Sequence, residues 1–235
     1  MLQTLSQVAD RLSQYASTVP SSSSSSTSSN SSRRQAHRSA SPAPRPSQPA
    51  ELKLSEFCQR VQDDRSYASA YVSSLTCYKD VTGIPHEFLV AHIRRLDMSD
   101  LWIRLERVAG FAHASGWLSR LFPVSSKYQP DDKVKITYEE SGLFSQREGV
   151  TPKEKLIFNG QKLSLRSFAM LLSIFADESK VYTLRQKNCW FFCSVMMENL
   201  AGMSLNPIQV RNLSLGKNSR TEIRRKYLEQ GFRCI

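Results

Sequence analysis

The sequence has few of the residues that usually announce a function. It holds four histidines in 235 residues, and its five cysteines, Cys58, Cys77, Cys189, Cys193 and Cys234, are odd in number and scattered. That scatter excludes a disulfide framework and fits reduced thiols, so the chain is expected in the cytoplasm or nucleus. No long apolar run is present: polar residues interrupt the longest ones every few positions, which excludes a transmembrane segment. Residues 1–17 lack a basic leader followed by a continuous apolar core, so no secretory signal is expected either. No zinc-finger, basic-zipper or aromatic-rich RNA-binding pattern occurs. Cys189 and Cys193 stand four apart, but no second cysteine–histidine pair has zinc-finger spacing, so neither a metal site nor a cofactor is expected.

Acidic residues are also in the minority, 21 against 32 lysines and arginines, for a net charge of +11. The excess lies toward the ends, in Arg33, Arg34, Arg38 and Arg45 and again in Arg211, Lys217, Arg220, Arg224, Arg225, Lys226 and Arg233. Placed there, it reads as solvated basic tails, with nucleic acid a less favoured partner and an acidic protein or lipid surface the alternative.

What is there divides into three parts. Residues 1–50 combine an amphipathic helix over 1–17, through Leu2, Leu5, Val8, Leu12 and Tyr15, with a Ser/Pro/Arg-rich linker that has almost nothing to bury and is expected to be disordered. Residues 51–205 carry the apolar periodicity of one α+β domain, an antiparallel sheet packed against helices. Residues 206–235 form a basic tail ending in a helix near 220–230.

Within the domain, Leu54, Phe57, Cys58 and Val61 predict a first helix, and Tyr67, Ala70, Tyr71, Ser74, Leu75 and Tyr78 a second. Residues 86–93 and 101–108 read as an antiparallel hairpin, with His86, Phe88, Val90 and His92 on one face of its first strand. Residues 111–128 read as a loop with a helical turn near 117–122. Strands are expected over 133–138 and 155–158, a helix over 164–177, and a short extended piece over 180–184.

The most informative stretch follows: Tyr182-Thr183-Leu184-Arg185-Gln186-Lys187-Asn188-Cys189-Trp190-Phe191-Phe192-Cys193. Asn188 is a good N-cap type, an apolar run continues through Leu200, and Gly202 offers a stop, which puts Cys189 at a helix N-terminus. There the unpaired N–H groups and the positive end of the helix dipole favour a thiolate. The competing reading is packing, since free cysteines are commonly buried, and Cys193 is read that way. A nucleophilic Cys189 needs a base.

The tyrosine–leucine lead-in followed by Asn188-Cys189 and aromatics resembles the asparagine–cysteine motif of the lecithin:retinol acyltransferase family, a circularly permuted branch of the NlpC-like, papain-related thiol enzymes. His86-Glu87-Phe88 ahead of Arg104-Leu105-Glu106-Arg107 is also similar to a pattern in uncharacterised fungal proteins. The resemblance implies a circularly permuted papain-like fold, Cys189 as nucleophile, His86 as base and a polar residue on the next strand as its orienter. Trp190-Phe191-Phe192 departs from the glutamate, histidine and phenylalanine that follow the acyltransferase cysteine, which points away from lipid acyl transfer specifically.

The orienter depends on hairpin register. A turn centred on Leu96 sets His86 opposite Glu106, whereas one near Met98 sets His92 opposite Arg104. Glu106 is preferred because a carboxylate would fix the imidazole tautomer. The expected function is an intracellular cysteine-dependent hydrolase or acyl/peptidyl transferase with a peptide, lipid or thioester substrate. The alternative is a non-catalytic interaction module of the same fold whose basic tails bind acidic partners.

Overall fold

Two long strands consecutive in sequence form the centre of the sheet, as their alternating valine, isoleucine, leucine and aromatic residues require. The structure, a computed structural model, describes residues 49–82, 85–96, 99–110, 129–144, 149–159, 163–181, 188–206 and 217–230. In chain order these form β1 (Ala50–Lys53), α1 (Leu54–Asp63), β2 (Tyr71–Asp80), β3 (His86–Arg94), β4 (Leu101–Gly110), β5 (Gln129–Thr137), β6 (Val150–Ile157), α2 (Leu165–Glu178), α3 (Cys189–Ala201) and α4 (Lys217–Glu229). Two 3-10 turns, Arg65–Tyr67 and Glu140–Leu143, complete the described elements. The expected helix over 1–17, the linker up to 48, the loop at 111–128 and most of the lead-in to Cys189 lie outside the described residues.

The protein is α+β. All six strands join one antiparallel sheet in the order β1-β5-β4-β3-β2-β6. Helix α1 packs on α2 and β5, α3 packs on β3, and α4 packs on α2. Both faces of the central strands are buried. Leu89, Ala91, Ile93, Ile103 and Leu105 fill one side, and Phe88 and Val90 join Leu143 on the other, flanked by Tyr78, Trp102, Phe144 and Val150. Across the first layer the rings of Phe191 and Phe192 in α3 lie 5.9 and 5.0 Å from that of Phe175 in α2.

The expected second helix is a strand. Residues 71–80 pair with β3 on one side and β6 on the other. Their helical periodicity misleads because Leu75, Thr76 and Cys77 are buried in succession. A strand covered on both faces loses the polar alternation that would mark it. Two helices therefore do not precede the first strand. The sequence predicts no element over 50–53; the short β1 there has only four residues and is defined by pairing with Lys133–Ile136 of β5, a partner far away in sequence.

The described residues all belong to one compact unit, Gln48–Ile235. Part of the expected basic tail is packed within it: in α4, Ile223 and Tyr227 are buried, Arg220 Nη1 lies 2.6 Å from Glu198 Oε2, and Lys226 pairs with Glu178. No helix among the described residues is long and apolar enough to cross a membrane.

Candidate active site

Three separate pieces of chain converge at the start of α3. Asn188 caps the helix, its side-chain oxygen accepting the Phe191 N–H at 3.0 Å, so Cys189 takes the first helical position. His86 is the first residue of β3 and is held by its pairing with Asp80 of β2. The β3–β4 ladder spans only Leu89–Ile93, so at His86 and Glu87 the side toward β4 lies beyond that ladder. The Cys189 sulfur comes in here: it is hydrogen-bonded to the His86 imidazole and to the backbone of Glu87.

Glu106 meets the same imidazole, with Oε2 3.3 Å from His86 Nε2. The register that achieves this is neither of the two considered from sequence. Leu89 faces Leu105 and His92 faces Trp102, so the turn centres between the two alternatives. Carried one step further, that count sets Glu106 level with Phe88 and diagonal to His86. Diagonal neighbours on one face lie about 7–8 Å apart at their Cα atoms, a span that two long side chains can close.

Arg104 completes the chain of contacts. The residue is buried, its Nε lies 2.5 Å from Glu106 Oε1, its Nη1 donates to the Leu143 carbonyl at 3.0 Å, and its guanidinium sits 3.6 Å over the Phe88 ring. Lys135 adds a second cation 3.8 Å from the same carboxylate oxygen. Glu106 and Arg104 are therefore members of one network and not alternatives. One Glu106 oxygen is anchored by Arg104 while the other faces His86.

The electrostatics follow from this placement. Burial opposes the charge on Glu106, but the His86 hydrogen bond and the Arg104 and Lys135 cations prevail and bring its carboxyl down to about 2. Burial likewise opposes an imidazolium at His86. Hydrogen bonds to Cys189 and Glu106 outweigh it, and the ring is raised to about 9. For Cys189, burial pushes the thiol up, while the His86 hydrogen bond and the backbone groups of Glu87 and Trp190 bring it below its ordinary range. All three shifts run in the direction of a thiolate–imidazolium pair braced by an ionised carboxylate.

The other histidine on this face of β3 stands apart. His92 lies six residues further along, about 20 Å at a rise of about 3.3 Å per residue. It stacks on Trp102 at 4.2 Å, with Asp100 3.1 Å from Nε2 and the Ser73 hydroxyl 2.9 Å from Nδ1. Those partners hold the ring against its neighbours in the sheet, a structural placement. His113 lies outside the described residues. Sequence reasoning missed the Glu87 backbone contact and the anchoring role of Arg104. The first depends on where a ladder ends, and the second could have been noticed from an arginine two residues before the glutamate on the same strand face.

No family model, no curated protein and no solved structure matches this chain.

Proposed function

We propose that the protein is a cysteine-dependent hydrolase or acyl/peptidyl transferase whose nucleophile is Cys189, with His86 as acid and base and Glu106 as its orienter. The observation that carries this reading is the meeting of the Cys189 sulfur, the His86 ring and the Glu106 carboxylate at a capped helix start. The order of the elements, histidine strand, orienting strand and then cysteine helix, also agrees with a circularly permuted papain-like arrangement.

In the reaction, the Cys189 thiolate attacks the carbonyl carbon of a peptide or thioester. Negative charge then develops on the carbonyl oxygen near the start of α3, where first-turn N–H groups favour it. The His86 imidazolium gives its proton to the leaving group as the carbon–heteroatom bond breaks, leaving a thioester on Cys189. His86, now neutral, takes a proton from water or an acceptor amine or alcohol, which attacks the thioester and restores the thiolate. Glu106 stays ionised throughout and holds the ring.

The test is acyl trapping. Purified protein is mixed with a panel of thioesters and activated peptide esters, quenched in acid and mapped by mass spectrometry. An acyl group confined to Cys189, and lost in His86→Ala, is the expected result. Equal acylation of several cysteines, or none on Cys189 with any substrate, would overturn the assignment.

The alternative, a non-catalytic module binding acidic partners through basic tails, draws less support from α4. There Arg220, Arg225 and Lys226 are paired with Glu198, Glu222, Glu229 and Glu178. That helix offers less free positive charge than its sequence implies.

A further inference from the structure

One helical turn below Cys189, a second set of reactive side chains is buried that the proposed reaction does not use. Cys77 of β2, Glu87 of β3 and Cys193 of α3 bring one sulfur, one carboxylate oxygen and one sulfur within 4.8 Å of one another. Cys77 Sγ and Glu87 Oε2 are 3.9 Å apart, and the Cys193 thiol is hydrogen-bonded to Cys77. We propose that these three side chains form a zinc site, with two thiolates and one carboxylate as ligands, that pins α3 to the sheet.

The donor geometry is close to what the ion needs. Tetrahedral bonds of about 2.0–2.3 Å set donor–donor edges of about 3.3–3.8 Å, so the set closes with shifts of an ångström or less. Two thiolates select a borderline-soft ion over magnesium or calcium, and the carboxylate favours zinc over monovalent copper. The fourth position is left to a water or an exogenous ligand.

Lys153 supplies the supporting contact. Its ammonium lies 2.6 Å from Glu87 Oε1, leaving Oε2 turned toward the two sulfurs. A ligating carboxylate is commonly fixed in this way by a hydrogen bond to its other oxygen. Lys153 reaches over because β6 shifts register against β2 between Cys77 and Tyr78, where Glu154 and Pro152 are the paired residues and Lys153 is the extra one. The charges then balance: two thiolates and one carboxylate carry three negative charges, the zinc ion two positive and Lys153 one. Zinc takes thiolates and not thiols, so binding is expected to release protons from the ligating sulfurs.

The test uses the full chain, reduced, stripped with a chelator and titrated anaerobically with cobalt(II), then with zinc. A thiolate-to-cobalt charge-transfer band that saturates at one ion per chain, is bleached by zinc and is accompanied by proton release is the expected result. Cys77→Ser and Cys193→Ser should each lose most of the band, the isosteric Glu87→Gln should weaken affinity about 10-fold or more, and Cys189→Ser and Cys58→Ser should leave the titration unchanged. Circular dichroism checks that each variant is folded, and Glu87→Gln serves where a serine variant is not. No band in the unaltered protein overturns the site. A band that survives Glu87→Gln at full affinity and disappears in Cys189→Ser overturns it too, since the ion would then sit at the proposed nucleophile.

Discussion

Cys189 and Cys193 stand one turn apart on the same helix, and their surroundings pull their thiols in opposite directions. Both are penalised by burial. Cys189 ends beside a cationic ring and backbone groups, and its thiol is lowered. Cys193 ends beside a second thiol and the Glu87 carboxylate, and its thiol is raised well above the usual range. Glu87 takes part on both sides, through its backbone at the upper cysteine and its carboxylate at the lower one. Helix position alone therefore does not make a nucleophile. Burial is the largest single influence on both thiols; at Cys189 the imidazole and backbone donors overcome it, and at Cys193 the neighbouring thiol and carboxylate add to it.

The largest break in this contrast comes from removing the ion pair. Cys189→Ala and His86→Ala are each expected to lower kcat/KM by about 10³-fold or more on whichever ester or peptide proves to be a substrate, with circular dichroism unchanged. Cys193→Ala should stay within about 10-fold of the unaltered protein. Comparable losses in Cys189→Ala and Cys193→Ala would erase the distinction between the two turns.

Glu106→Gln keeps the shape and removes the charge. The activity should fall about 10²-fold, and the alkaline limb of the pH profile should move down from about 9 toward the ordinary imidazole value of 6.5. An unmoved limb would mean that Glu106 does not hold the imidazolium.

Alkylation provides a direct comparison of the two thiols. At pH 7, iodoacetamide should modify Cys189 at least about 10-fold faster than Cys193 or Cys58, the latter raised to about 11 by burial. Peptide mapping over time reads the rates, and similar rates would contradict the opposite shifts. His86 also links the contrast to stability. Its raised value means that the stabilisation it adds is complete below about 6.5 and is lost as pH rises through about 9. Urea denaturation should show a decline across that window, flattened in His86→Gln.

The smallest expected effect is at the cap. Asn188→Ala removes the acceptor for the Phe191 N–H and should cost about 1 kcal/mol of unfolding free energy by urea denaturation.

Much of this arrangement could be read in advance because its signals are local. Asn188, the apolar run and Gly202 delimit a helix whatever surrounds it, and the structure begins that helix at Cys189. The helix expected over 164–177 is likewise present as α2, with Ser164 as its cap accepting the Ser167 N–H at 3.0 Å. The alternation in β3 and β4 was equally legible, as was the preference for Glu106 as the carboxylate near His86. Residues 71–80 were not, since a strand buried on both faces and a buried helix share the same composition. Arg104 was legible as a charge and illegible as a buried anchor, because its partners Phe88 and Leu143 come from other elements.

By itself the sequence determined the helix start at Cys189, the side-chain faces of the histidine hairpin, and the antiparallel α+β class. These follow from caps, periodicity and turn residues acting within a few positions. Only the tertiary structure decided the hairpin register, the end of the β3–β4 ladder at Leu89, and the convergence of Cys77, Glu87 and Cys193. Each of those depends on how elements distant in sequence pack, and a shift of one residue in register would turn His86 and Glu106 to opposite faces of the sheet.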